Sequence, residues 1–206
     1  MIIAADMKML RPEDMYIWNE IVVENVYANI LPLMSSPNIM DLGANVGIAA
    51  FWFLKMYPGA NIYCVEPDPN NFEILKTNMR LMKGVRAIRF AVHTKYEMLE
   101  MYSPAWDSRP CALRTRPSKK GFAYGMPIDS LMALSQFKVI DLLKVDIEGA
   151  EDNLFLHEKE LPWLKRVNYL VVEVHNQKEP LIAAIENNGF KTAYRETSRL
   201  IIGRKL

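Results

Sequence analysis

Asn38-Ile-Met-Asp-Leu-Gly-Ala-Asn-Val-Gly47 and Leu142-Leu-Lys-Val-Asp-Ile-Glu-Gly-Ala-Glu151 decide the fold. Each is an apolar run that ends in an acidic residue and a glycine-bearing turn, followed by a stretch suited to a helix. Buried strands that deliver such turns at their carboxyl ends build an open α/β sheet, with ligand-binding groups gathered beyond the strand ends. Working outward, strands are predicted over residues 39–42, 62–65, 85–90, 98–102, 139–145 and 169–174, with a closing pair at 190–194 and 199–203. Helices are predicted over 46–56, 69–82, 150–157 and 179–188, and a short helical piece over 131–134. Asp68 is a good N-cap with Pro69 in the first helical position, and Gly189 supplies a C-terminal stop. The alternation predicts an α/β fold, a doubly wound, Rossmann-like sheet of about seven strands, mostly parallel, with the last strand antiparallel.

The chain has 206 residues, 50% hydrophobic and 24% charged, which suits one domain with a full-sized core spanning 1–206. Within it, residues 1–37 read as an N-terminal helical cap. Apolar positions Trp18, Ile21, Val22, Val26 and Ile30 suit an amphipathic helix, or two short ones, over 13–33. Residues 91–126 read as an irregular insertion or lid around the strand at 98–102. A net charge of +1 gives no support to a nucleic-acid or membrane partner recruited by overall charge. No apolar run reaches the ~18 residues that span a bilayer. The stretch 1–8 lacks a basic start followed by an apolar core, so no secretory signal is expected and a cytoplasmic location is. Cys64 and Cys111 make no disulfide framework, and Cys64 falls inside a predicted core strand.

Gly43 and Gly47 flank a tight strand-to-helix turn that lets a ligand approach the main chain. Their spacing is not the Gly-x-Gly-x-x-Gly that seats a pyrophosphate, which argues against a nicotinamide dehydrogenase. Glu66 ends the next strand, where a carboxylate can accept hydrogen bonds from both ribose hydroxyls. An adenosine without a pyrophosphate is the ligand this combination favours. S-adenosylmethionine fits, with its ammonium at Asp41 and its ribose at Glu66.

The segments DLGANVGIAAFWF, YCVEPDPNNFEILKTNM, RFAVHT, MPIDSL and DLLKVDIEGAE together resemble the FkbM-type S-adenosylmethionine-dependent methyltransferases. The resemblance covers roughly two thirds of the chain, about residues 38–174; the first motif is common to class I methyltransferases, whereas KVDIEGAE is particular to this family. It implies a seven-stranded Rossmann-like sheet and methylation of hydroxyl oxygens on natural products or sugars. It also implies donor contacts from Asp41, Gly43, Ala44, Asn45 and Gly47, with ribose on Glu66 and Pro67, Asp68 and Phe72 near the nucleoside. Ala91, Val92 and His93 would flank the adenine, although members often carry a small or acidic residue where His93 stands.

Methyl transfer from a sulfonium is an in-line displacement, so the protein must chiefly align three atoms and exclude water. A hydroxyl nucleophile gains further from a base. Asp146 ends one predicted strand, Glu148 follows it, and Glu173 and His175 close the next strand. If those strands are neighbours, the four converge, with Asp146 also facing the donor and His175 or Asp146 as the base. A divalent metal there is allowed but not expected. The bland alternative has Glu148 capping the following helix and Glu173 paired with Lys144. Arg109, Arg114, Arg116, Lys119 and Lys120, interleaved with Trp106, Phe122 and Tyr124, suggest a mobile lid over a phosphate- or carboxylate-bearing acceptor. Tyr27 is a candidate donor contact, and Trp18 is expected in the core. The expected partner is a small-molecule acceptor, with no membrane and nucleic acid disfavoured. The alternatives are an RNA or protein methyltransferase and a non-catalytic donor-binding module.

Overall fold

The computed structural model describes residues 7, 10–30, 34–103 and 113–206. The chain enters through a 3-10 turn, Pro12–Asp14, that runs into α1 (Met15–Trp18) and a π-helical turn, Asn19–Val23. Strands and helices then alternate: β1 (Asn38–Leu42), α2 (Ile48–Met56), β2 (Asn61–Val65), α3 (Pro69–Met79) and β3 (Val85–Ile88). Four strands follow without helices between them: β4 (Ala91–Val92), β5 (Glu97–Tyr102), β6 (Arg114–Pro117) and β7 (Ala123–Met126). Alternation resumes with α4 (Ile128–Ser135), β8 (Ile140–Val145), α5 (Glu151–Phe155), β9 (Val167–Glu173) and α6 (Lys178–Asn187), and β10 (Phe190–Arg195) and β11 (Leu200–Lys205) close the fold.

Seven strands form the main sheet in the order β10-β11-β9-β8-β1-β2-β3. The strands β3, β2, β1, β8 and β9 run parallel, and β11 is antiparallel to both its neighbours. This is the expected doubly wound sheet with an antiparallel last strand. The chain steps outward from β1 to β2 and β3, then returns to β8 on the other side of β1. Strand order therefore reverses between β1 and β8, and a crevice opens beyond their carboxyl ends.

Helices α2 and α3 and the N-terminal segment bury Phe53, Leu75 and Trp18 against Ile39, Leu142 and Val171 on one face. Helices α4, α5 and α6 bury Leu131, Phe155 and Leu181 against Met40, Leu143 and Leu170 on the other. With both faces covered, the central strands read as almost continuous apolar runs. Cys64 is a buried free thiol, as expected of a core strand. No helix among the described residues is long and apolar enough to cross a membrane.

Two expectations need correction. The N-terminal helical stretch ends at Val23 rather than running toward residue 33, because Asn25 (φ 57°) and Asn29 (φ 58°) adopt left-handed backbone. Asparagine tolerates that conformation and so ends helices, and Asn25 Oδ1 is fixed by accepting from Trp52 Nε1 at 3.0 Å. Residues 31–33 lie outside the described residues. The described residues of 91–126 are not irregular: β4, β7, β5 and β6 form a second sheet. Its core is small, built around Ala91, Leu99 and Ala123. Trp106, Arg109 and Cys111 lie outside the described residues.

Candidate active site

The β1–β2 side of the crevice is set by backbone. Gly43 N and Ala44 N donate to Val65 O at 2.9 and 3.1 Å, which folds the turn after β1 back over the end of β2. Gly43 has φ +77°, and a Cβ there would stand 1.7 Å from the backbone oxygen of Asp146. Only glycine lets the ends of β1 and β8 approach this closely. Asn45 (φ 50°) donates its backbone N–H to Glu66 Oε2 at 2.8 Å, and Asp68 donates to Glu66 Oε1 at 2.9 Å. The Glu66 carboxylate is thus clamped at the end of β2 with both oxygens oriented. Burial pushes its pKa up to about 7, against the pull of these two backbone donors.

The cleft encloses about 1170 Å³, its open mouth included, and is lined on this side by Gly43, Ala44, Asn45, Glu66 and Pro67. Ala91 and Val92 line it from β4, and Asp146, Glu148 and Glu173 from the far side. Tyr27 lines it from the N-terminal segment, which also contributes Tyr16 and Glu20. Burial raises the Tyr27 phenol well above its ordinary value.

The expected ammonium contact at Asp41 is not supported by this geometry. Asp41 and Lys144 are partners in register on β1 and β8, and both are buried. Lys144 Nζ lies 3.1 Å from Asp41 Oδ1 and 3.4 Å from Asp146 Oδ2, and donates to Gly43 O at 2.8 Å. Burial opposes the lysine charge, but the Asp41 and Asp146 carboxylates outweigh it, so the ammonium stays protonated well above its usual range. Asp41 therefore anchors the strand ends from beneath, and Lys144 and Asp146 are the charges of this group that reach the cleft. Gly47, Asp68, Phe72 and His93 do not line the cleft either. Gly47 is the left-handed N-cap of α2, Asp68 caps α3 by accepting from Asn70 N and Asn71 N, and Phe72 packs against the core beneath Lys76. His93 Nδ1 sits 3.4 Å from Glu97 Oε1.

At the other side, β8 and β9 are parallel neighbours, and Asp146, Glu148, Glu173 and His175 do converge. His175 Nε2 lies 3.4 Å from Glu148 Oε2, 3.7 Å from Glu173 Oε1 and 4.0 Å from Asp146 Oδ1. Its Nδ1 lies 3.1 Å from Glu151 Oε1. Burial disfavours the imidazolium, but the Glu151 hydrogen bond and charge, then Asp146 and Glu173, raise the pKa to about 9. The surrounding carboxylates thus favour the imidazolium form of the ring. The bland alternative also changes in detail. Glu173 pairs with Arg199 at 2.6 Å rather than with Lys144. The turn after β8 is closed by Glu151, which accepts from Ile147 N at 2.9 Å.

Glu151 escaped the sequence reading as a site residue although it sits in the quoted motif. Its signal was an acid at the first turn of α5, one strand away from a histidine; only the β8–β9 pairing shows that the two meet. Of the basic stretch, Arg116 pairs with Glu100 at 2.5 Å across the small sheet. Leu113 and Thr115 turn toward the cleft. Arg114 lays its guanidinium over Gly149, where a Cβ would stand 2.7 Å from Cζ.

Asn45 Oδ1 is buried in the cleft wall without a hydrogen-bond partner among the described residues. A buried acceptor of that kind calls for a donor from a ligand. With the clamped Glu66 carboxylate beside it, the wall suits the hydroxyls of a ribose.

The methyltransferase FkbM domain profile matches residues 41–192. The methyltransferase sdnD of Sordaria araneosa is 28% identical, covering 86% of this chain and 82% of its own length. The 2-O-methyltransferase NoeI of Sinorhizobium fredii is 23% identical, covering 74% of this chain and 70% of its own length. Among solved structures, fibrillarin of Aeropyrum pernix with natively bound S-adenosyl-L-methionine has a TM-score of 0.55 at 13% identity, covering 92% of this chain and 76% of its own. That last likeness is one of fold. The matched profile covers most of the chain, from the end of β1 into β10, and the chain belongs to the FkbM family of S-adenosylmethionine-dependent methyltransferases.

Proposed function

We propose that this cytoplasmic enzyme transfers the methyl group of S-adenosylmethionine to a hydroxyl oxygen of a small molecule or sugar. The observation that carries the reading is that Glu66 and Asp146 face one cleft from the two sides of the β1–β8 switch point. A relative named as a 2-O-methyltransferase and another named as a 31-O-demethyl-FK506 methyltransferase support oxygen as the nucleophile.

When bound, S-adenosylmethionine supplies an electrophilic methyl on a sulfonium leaving group. Glu66 holds the ribose hydroxyls, with Asn45 Oδ1 as a further acceptor beside it. Ala91 and Val92 form the apolar wall against the adenine. Asp146 receives the hydrogen bond of the acceptor hydroxyl, aims its oxygen at the methyl and takes its proton, because it lines the cleft whereas His175 sits behind it. Lys144, beneath, keeps the Asp146 carboxylate in place. Tyr16, Glu20 and Tyr27 close the cleft from the N-terminal side and exclude water.

The test is an acceptor screen that follows S-adenosylhomocysteine release by the purified protein. Turnover is expected with hydroxylated small molecules, the product carrying an O-methyl group by NMR. Turnover on an amine acceptor alone would contradict the oxygen assignment.

A further inference from the structure

The crevice has two halves. Gly43, Asn45, Glu66 and Ala91 line the donor half, so an acceptor reaches Asp146 from the half bordered by Glu173 and Leu200. That half does not end at the cleft. Tyr16, Glu20 and Val26 line the cleft and also an adjoining hollow, completed by Asn19, Glu24 and Thr197, which encloses about 530 Å³ with its open mouth included. Both ends of the chain build it. Thr197 lies in the 3-10 turn Glu196–Ser198 between β10 and β11, and Arg195, just before that turn, donates to Val26 O at 3.0 Å. The facing wall comes from the π-helical turn. Glu24 N donates to Asn19 O at 2.8 Å, an i→i+5 bond that sets Glu24 over Asn19, while Tyr16 and Glu20 are neighbours four residues apart. Such widened turns are frequent at functional sites, and this one gathers Tyr16, Asn19, Glu20 and Glu24 around one hollow.

The lining selects by its chemistry. Apart from Val26, every side chain around the hollow carries a hydrogen-bonding group, and none of those described is a lysine or arginine. Arg195 and Arg199, on either side of Thr197, are engaged with the Val26 and Ala28 carbonyls and with Glu173. A phosphate or carboxylate placed there would face Glu20 and Glu24 with no cation in the lining to receive it. Tyr16 is 60% exposed and presents its ring at the rim between cleft and hollow. A saturated ring with C–H faces and hydroxyls around its edge matches both features: a C–H face packs on Tyr16, and the hydroxyls donate to Glu20, Glu24 and Asn19. We propose that the outer hollow binds a sugar ring without anionic substituents, joined to the unit whose hydroxyl is methylated at Asp146. The acceptor is then a glycoside or oligosaccharide, held by two adjoining subsites. This rests on the proposed reaction for its inner end, where the hydroxyl meets Asp146.

The outer subsite is tested on the purified chain without donor. Saturation-transfer NMR and calorimetry compare a panel of neutral di- and trisaccharides, their component monosaccharides, and uronic-acid and phosphorylated sugars. A neutral oligosaccharide is expected to bind more tightly than its monosaccharides and than the anionic sugars. Tyr16→Ala should weaken that oligosaccharide roughly three- to tenfold, the scale of one aromatic contact, and Tyr16→Phe should restore it. Glu24→Gln, at an exposed position, should weaken it by a similar factor and leave monosaccharide binding unchanged, whereas Glu179→Gln on α6 should change neither. Circular dichroism and thermal melting check each variant; if Tyr16→Ala fails to fold, Glu24→Gln decides. No neutral sugar bound by folded chain, a preference for anionic sugars, or equal oligosaccharide binding by folded Glu24→Gln overturns the proposal. A chain that binds S-adenosylmethionine but no sugar overturns the subsite and leaves the methyltransferase reading intact; failure to bind S-adenosylmethionine is the separate result that removes that reading.

Discussion

Glu66 is a carboxylate with two fixed backbone donors and a pKa raised to about 7 by burial. Its folded value lies above its ordinary one, so in the free protein the charged form is the disfavoured one. Ribose hydroxyls donate to that charged form. Donor binding should therefore release a proton from Glu66, and affinity should rise from about pH 6 to pH 8 and level off above. Glu66→Gln should flatten that part of the profile. Glu66→Ala should weaken binding by roughly 1–3 kcal/mol, the scale of lost charged hydrogen bonds; equal affinity by calorimetry would remove Glu66 from the donor site. For Asp146→Asn, turnover should fall much more than donor affinity, and unchanged kcat would remove Asp146 from the mechanism. At this scale the sequence was informative wherever a side chain ends a strand. It was less informative at Asp41, whose place in the motif looks like a ligand position but whose carboxylate lies buried beside Lys144.

The element that holds the site is the pair β1 and β8. Removing one partner of a buried ion pair leaves an uncompensated charge. Lys144→Met should accordingly destabilise the protein by about 3–5 kcal/mol, read by urea unfolding. The double change Asp41→Asn with Lys144→Met should recover much of that loss. Wild-type stability in the single variant would show that the pair is not coupled. Strand positions were legible because both faces of the main sheet are covered, which makes each strand an apolar run flanked by turn residues. The small sheet was not legible beyond β5. Its core is three residues deep in apolar mass, and β6, Arg114–Pro117, alternates no apolar side chains at all. Its pairing is fixed by cross-strand contacts such as Arg116 with Glu100, whose register no local pattern announces.

Across the whole molecule, the cleft is completed from opposite ends of the chain. Arg195, at the end of β10, donates to Val26 O at 3.0 Å and to Ala28 O at 3.1 Å. These bonds tie the N-terminal segment to the edge of the sheet, and Val26 and Tyr27 between them line the cleft. Arg195→Ala should loosen that segment: hydrogen exchange at residues 26–30 should quicken and donor affinity should fall, while global stability changes little. Unaltered exchange there would mean that packing of Tyr27 on Phe53 suffices. A contact between residues this far apart in sequence is invisible to local pattern, and the π-helical turn at Asn19–Val23 likewise has no sequence signal that we can identify. The central claim is that the β1–β8 crevice is a donor site for S-adenosylmethionine, and calorimetric titration tests it most directly. Saturable, one-to-one binding of S-adenosylmethionine and S-adenosylhomocysteine, with none of NAD, is the predicted result; binding of NAD, or no binding of either sulfur nucleoside by folded protein, would contradict it.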